Sequence, residues 1–107
     1  MKKQRVYISI PISGLNVVQQ RAKAGEKADY LKGKGYEVFN PFDVPEPPQE
    51  YNSDQKYAYY MGRDIEQLLL CDAIYMCKGW RDSQGCCIEH EIAVQRCMNV
   101  FYERTRR

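Results

Sequence analysis

Apolar positions along the chain alternate between two periods. Residues 4 to 10, Gln-Arg-Val-Tyr-Ile-Ser-Ile, are rich in β-branched and aromatic side chains, and Pro11 and Gly14 break the run, which predicts a buried strand ending in a tight loop. Helical spacing follows. Asn16 is placed to cap a helix on which Val18, Ala22, Ala28 and Leu31 recur, until Gly33 and Gly35 stop it. Residues 36 to 39 read as a second short strand. Asn40-Pro41-Phe42-Asp43 then opens a loop reaching to about Asn52, in which Pro45, Pro47 and Pro48 oppose regular structure. Such a loop is long enough to cover a site. Ser53 or Asp54 is placed to cap a second helix to about Leu70, and residues 71 to 77 form a third strand closed by Lys78-Gly79-Trp80. Ser83 caps a third helix through about Cys97, and the last strand runs from Asn99 to Tyr102.

The order is therefore β-α-β-α-β-α-β. Strands alternating with helices imply a parallel sheet with right-handed crossovers, so the expected fold class is α/β. The chain is read as one three-layer, flavodoxin-like or Rossmann-like domain over residues 1–107, with strand order 2-1-3-4. In such sheets ligands bind outside the carboxyl ends of the strands. Here those ends are the loops Ser9 to Gly14, Asn40 to Asp43 and Lys78 to Ser83, together with the N-terminus of the third helix.

Composition changes this picture little. The chain has 107 residues, 44% hydrophobic and 28% charged, with a formal net charge of +2. That balance is ordinary for a globular protein and does not suggest nucleic-acid binding. Basic residues gather at the two ends, Lys2, Lys3 and Arg5 against Arg104, Arg106 and Arg107, and read as solvated tails. No apolar stretch approaches the roughly 20 residues that span a bilayer, and the N-terminus lacks a signal-like apolar region, so no membrane partner and a cytoplasmic location are expected. Five cysteines, at 71, 77, 86, 87 and 97, lie in apolar segments and read as reduced core residues. Cys-x-x-Cys spacing is absent and the single histidine, His90, has no partner three to five residues on, so neither a metal nor a cofactor is expected.

Two carboxylates stand where apolar residues belong. On the second helix Tyr57, Met61, Asp64 and Leu68 form one stripe, so Asp64 shares the face that should meet the core. On the third helix Glu89 lies centrally among Gly85, Cys86, Ile92, Ala93 and Cys97. Burying an unpaired carboxylate is costly, so such a residue has a partner or a task. In the structural reading Glu89 bonds Arg5 or a backbone group, and Asp64 pairs with Arg63 or caps a loop. In the catalytic reading two inward acids serve displacement at an anomeric carbon, one attacking C1′ and the other positioning substrate or assisting proton transfer. Ser83 and the N–H groups of the third helix suit an anionic group, or Ser83 is an ordinary cap. Trp80 is the aromatic best placed to wall a pocket, or else is a plain loop anchor, while Tyr57, Tyr59 and Tyr60 are read as packing, with one ring able to stack on a base. His90 points about 100° away from Glu89 and is read as a surface or packing residue.

Three segments carry a resemblance: V-Y-I-S-I-P-I-S-G, then Y-M-G-R-D-I-E-Q-L-L-L-C-D-A-I-Y-M, then G-W-R-D-S-Q-G-C-C-I-E-H-E-I-A. Together they resemble the nucleoside 2-deoxyribosyltransferase superfamily over nearly the whole chain, in particular its small bacterial and phage branch. The resemblance implies that Glu89 is the nucleophile, that Asp64 contacts sugar and base, and that Tyr7 hydrogen-bonds the glutamate. Taken with the loops at the carboxyl ends of the strands, it directs attention to Ser9, Pro11, Gly14, Asn40, Phe42, Gly79, Trp80, Ser83 and Gly85 as substrate-binding positions. Where transferases carry an aspartate six residues before the glutamate, this chain has Ser83, as the related nucleoside 5′-monophosphate N-glycosidases do, which leans toward a nucleotide. Cys86 replaces a usual alanine or threonine, Glu91 replaces a glycine of the true transferases, and the sequence is shorter than theirs at the C-terminal end.

The leading expectation is an enzyme that cleaves or transfers at the N-glycosidic bond of a (deoxy)nucleoside or nucleoside 5′-monophosphate through a glycosyl-Glu89 intermediate. The alternative is a non-catalytic nucleotide-binding or interaction module of the same fold. A third reading, a glycohydrolase acting on a dinucleotide, meets the expectation of little room for a second nucleotide. Exposed sheet edges and the resemblance lead to the expectation of a homo-oligomer.

Overall fold

A computed structural model describes residues 2–104 of the chain. Its elements are β1 (Arg5–Ser9), α1 (Val17–Gly33), β2 (Glu37–Phe39), α2 (Ser53–Leu69), β3 (Ala73–Met76), α3 (Gln84–Gln95) and β4 (Asn99–Tyr102). The four strands form one parallel sheet in the order β2-β1-β3-β4, as the alternation of strand and helix patterns required. Tyr7 of β1 lies between Phe39 of β2 and Ile74 of β3, and Ser9 lies beside Met76.

Alternation along β1 divides the core into two layers. Val6, Ile8 and Ile10 face one side, where they pack with Ala24, Ala28 and Leu31 of α1 and with Ala73, Tyr75 and Cys77. Tyr7 faces the other, packed with Leu68 of α2, Ile74 and Met76 of β3, and Cys86 and Ala93 of α3. Ser9 shares the Tyr7 face by the same alternation and is fully buried. A hydroxyl is thereby placed beneath α3, in a layer otherwise built from apolar groups. Strand order reverses between β1 and β3, which opens the crevice that α/β sheets use for ligands.

Several local expectations are corrected. Val18 is 77% exposed and Ala22 is exposed, because the first turns of α1 stand over a cavity lined by Val17 and Arg21 rather than over the sheet. The buried stripe of α1 is Ala24, Ala28 and Leu31. Neither Ser53 nor Asp54 caps α2; Asn52 does, in a capping box where its side chain accepts from the Gln55 N–H and Gln55 accepts from the Asn52 N–H, each at 2.8 Å. The proline-rich loop is not wholly irregular, since Pro41–Asp43 forms a 3-10 turn, and Trp80–Asp82 forms another. Arg5 is no tail: its backbone N–H donates to Asp72 and its guanidinium to Gln67 while lying over the Phe39 ring. Arg106 and Arg107 fall outside the described residues.

Cys97, expected within the core, is exposed and has a positive φ of 56°. Here α3 ends in a Schellman turn, with Met98 N–H donating to the Ala93 carbonyl and Cys97 N–H to that of Val94. A side chain at this left-handed position costs about 1 kcal/mol, which glycine avoids. Cys97→Gly is therefore expected to raise the unfolding free energy by up to about 1 kcal/mol, read as a higher urea midpoint with an unchanged slope. A lower midpoint would show that the thiol makes a compensating contact.

Candidate active site

Glu89 is 5% exposed, and both of its carboxylate oxygens are held from β1. The Tyr7 hydroxyl donates to Oε2 and the Ser9 hydroxyl to Oε1, each at 2.7 Å. Both lengths are those of well-formed O–H···O hydrogen bonds, and donors so placed favour the ionised form of the carboxylate they hold. The residues are two apart on one strand face, so a single strand supplies both donors. Asp64, 9% exposed on α2, is the second inward acid, and its Oδ1 is buried with no hydrogen-bond partner among the described residues. Arg63 pairs instead with Glu66 at 3.6 Å, which removes the expected structural partner of Asp64. Arg5 likewise bonds Gln67 rather than Glu89.

Burial dominates the electrostatics of both acids. It pushes Glu89 up to about 7, with the Ser9 and Tyr7 hydrogen bonds working against it and the charge of Asp64 adding to it. Asp64 is likewise raised by burial to about 7, offset in part by the Tyr7 hydroxyl. Tyr7 itself is pushed well up, first by burial and then by Glu89 and Asp64, so it remains a donor. Near neutral pH the pair lies close to its own titration, where one acid can be ionised while the other holds a proton.

Both acids open onto a cavity of about 790 Å³. That is toward the upper end of the roughly 300–1,000 Å³ span of small-molecule sites. The room exceeds what so short a chain led one to expect. Glu89, Asp64, Ser83, Gly85 and Phe42, all expected at the site, line it. Ser83 caps α3, accepting from the Cys86 N–H at 3.2 Å. Gly85 lies in the first turn of α3 against Met61, whose Sδ would be in ordinary contact, 3.4 Å, with a Cβ there.

Other expected positions are not in the lining. Tyr7 and Ser9 lie beneath it, and full burial makes Ser9 a partner of Glu89 rather than a contact for substrate. Pro11 is buried and its carbonyl accepts from Gln20. Gly14 is in an exposed turn. The Asn40 side chain is spent on capping the 3-10 turn, accepting from the Phe42 N–H at 3.0 Å. Gly79, with φ 88°, reverses the chain after β3. Trp80 does not wall the pocket: it stacks on His90 at 4.3 Å, beside Tyr102, with Arg81 on it. The His90 ring bonds the Tyr102 hydroxyl, consistent with a packing role.

The cavity also has a wall that the residue pattern undervalued. Tyr57 and Tyr60 of α2 face it, as do Arg21 of α1 and Lys56 of α2. The Tyr57-Met61-Asp64 stripe was visible in the sequence, but its outer end meets the cavity instead of the core. Tyr60 lies within reach of Glu46, Asp64 and Arg21; burial and the Glu46 charge raise its phenol, and Arg21 offsets part of that. Arg21 is stacked over Phe42 with its guanidinium carbon 5.0 Å from the ring centre. Among the described residues no group of three or more His, Cys, Asp or Glu is placed to hold a metal ion, and no helix is long and apolar enough to cross a membrane.

This architecture is that of a known class of α/β fold. A solved 2-deoxyribosyltransferase from the psychrotolerant bacterium Bacillus psychrosaccharolyticus superposes with a TM-score of 0.70 over 95% of this chain and 77% of that one, at 17% identity. At that identity the likeness establishes a shared fold. Residues 4–102 match the model of a family described as a domain of unknown function (DUF4406), and the chain belongs to that family. No curated protein matches it.

The raised acids have a stability consequence. Between about pH 4.5 and 7 the folded chain holds protons on Glu89 and Asp64 that the unfolded chain has released, so these groups make stability fall as pH rises through that window. Glu89→Gln and Asp64→Asn remove the titrating charge. Both are expected to raise the melting temperature at pH 8 by several degrees, at roughly 4–8 °C per kcal/mol for a domain of this size, and to change it far less at pH 5. Equal effects at the two pH values would mean that neither acid is raised.

Proposed function

We propose that the protein cleaves or transfers at the N-glycosidic bond of a (deoxy)nucleoside or nucleoside 5′-monophosphate, with Glu89 as nucleophile. The observation that carries this reading is the Glu89 carboxylate, gripped by Tyr7 and Ser9 at the floor of a cavity it shares with Asp64. A glutamate with both oxygens fixed and no cationic partner is preorganised for attack, not neutralised for structure. The 2-deoxyribosyltransferase fold supports the same reading.

In the first step a Glu89 oxygen bonds to C1′ as the C1′–N bond breaks, its electron pair leaving with the base. The departing nitrogen takes a proton from protonated Asp64 or from solvent. In the second step water or another base attacks C1′ as the C1′–O bond to Glu89 breaks, its electron pair returning to the Glu89 carboxylate, and the attacking group passes its proton to the Asp64 carboxylate or to solvent. Asp64 also orients sugar or base, and Ser83 with the first N–H groups of α3 takes the 5′ substituent. Phe42 with Tyr57 and Tyr60 supplies faces for the base.

The test is release of free base from ribo- and deoxyribonucleosides and their 5′-monophosphates, followed chromatographically with wild type and Glu89→Ala. Loss of at least about a thousandfold is expected, and equal turnover by both would refute the assignment. Because Glu89 attacks ionised, kcat/KM is expected to rise with pH through about 7, not through the usual carboxylate range. Tyr7→Phe deletes a bond that favours the ionised form. It is expected to move this acid limb to higher pH as well as lowering the plateau; an unmoved limb would mean that Tyr7 does not act on Glu89.

A further inference from the structure

Two cations in the cavity wall have no role in the reaction just described. Arg21 on α1 and Lys56 on α2 both line the cavity, and neither has an ion-pair partner among the described residues. The neighbouring lysines of α1 differ: Lys23 and Lys27 are both engaged by Glu103 at 3.4 Å. Unpaired cations on an open surface need no explanation, but these two line one concave space, together with the rings of Phe42, Tyr57 and Tyr60 and the carboxylate of Glu46. Stacking on Phe42 also orients the Arg21 guanidinium, so part of the entropy of ordering it is already spent before a ligand arrives.

Topology separates Arg21 from the anion-accepting end of α3, while Lys56 lies on α2 between them in the chain. The stacking partner of Arg21, Phe42, belongs to the turn after β2, at one edge of the sheet. Ser83 and Gly85 follow β3, on the other side of β1. Glu89 is hydrogen-bonded to β1 itself, between the two. A sugar with C1′ against Glu89 therefore has an anion-accepting group to either side. One of these suits a 5′-phosphate, and an uncharged base would leave the other unused.

We infer that the preferred substrate is doubly anionic: a nucleoside 5′-monophosphate whose base carries an acidic substituent, with Arg21 and Lys56 binding one of its two anionic groups. The inference rests on the proposed N-glycosidic chemistry and adds the class of substrate. It does not depend on which end of the substrate meets which pole, because both ends carry charge. The cavity, at about 790 Å³, has room for the added group.

Four probes decide it, in both the ribose and 2′-deoxyribose series: uracil nucleoside, uracil nucleoside 5′-monophosphate, and the 5-carboxyuracil counterpart of each. Base release is measured with wild type, Arg21→Gln, Lys56→Gln and, as a surface control, Lys32→Ala; binding is measured by calorimetry with Glu89→Gln. The carboxylated monophosphate is expected to have the highest kcat/KM, roughly tenfold or more above the uracil monophosphate. Arg21→Gln and Lys56→Gln should each remove most of that advantage, mainly through KM, and higher salt should shrink it; Lys32→Ala should leave it intact. Glu89-dependent release with no gain from the carboxylate, or a gain indifferent to both cations, overturns the inference and leaves the proposed reaction standing. If no probe releases base, the proposed reaction fails, and binding then judges the cations alone. Tighter binding of the carboxylated monophosphate that is lost with Arg21→Gln in the Glu89→Gln background supports the inference, and equal or absent binding overturns it.

Discussion

A carboxylate that is 5% exposed keeps its charge near neutral pH only if donors replace the water it has lost, and Glu89 has two of them. Both come from β1, so the geometry of the site rests on the register of one strand against its neighbours. Tyr7 is fixed by its stack on Phe39, with ring centres 5.4 Å apart, and by burial against α2 and α3. Ser9 is fixed by full burial beside Met76. A slip of one residue in β1 would turn both hydroxyls into the α1 layer and leave Glu89 without a donor. The same arrangement makes the site costly to fold, because two acids with raised proton affinity sit in one apolar layer.

Much of this was legible from residue patterns. The order of strands and helices gave the topology, since parallel crossovers leave few arrangements of four strands. Asp64 and Glu89 stood out because each occupied a position on a helix stripe that should be apolar. Ser83 stood out as a helix cap and Tyr7 through the family resemblance, and the structure places them at the cap of α3 and against Glu89, respectively.

What was not legible depends on tertiary context. Ser9 and Trp80 exchanged expected places: a serine at the end of an apolar strand looks available to a ligand, yet strand alternation buries it, while a tryptophan after a glycine looks like a pocket wall, yet His90 offers it a stacking partner. Tyr57 and Tyr60 were read as packing because the stripe on α2 does not reveal where the sheet ends and the cavity begins. Arg21 and Lys56 carried no signal at all, since one charged residue on an exposed helix face resembles any other until the fold brings two helices to one cavity. Cys97 was taken for a core residue because helical periodicity does not announce the turn that ends it.

The central claim is that Glu89 forms a bond to the sugar. Its most direct test is mass spectrometry of acid-quenched protein after incubation with a 2′-fluoro-2′-deoxy nucleoside 5′-monophosphate, whose fluorine slows breakdown of a glycosyl ester. The account predicts a single added glycosyl unit on the peptide that contains Glu89, absent from the Glu89→Gln protein. Base release accompanied by an adduct on another residue, or by none at any quench time, would contradict it.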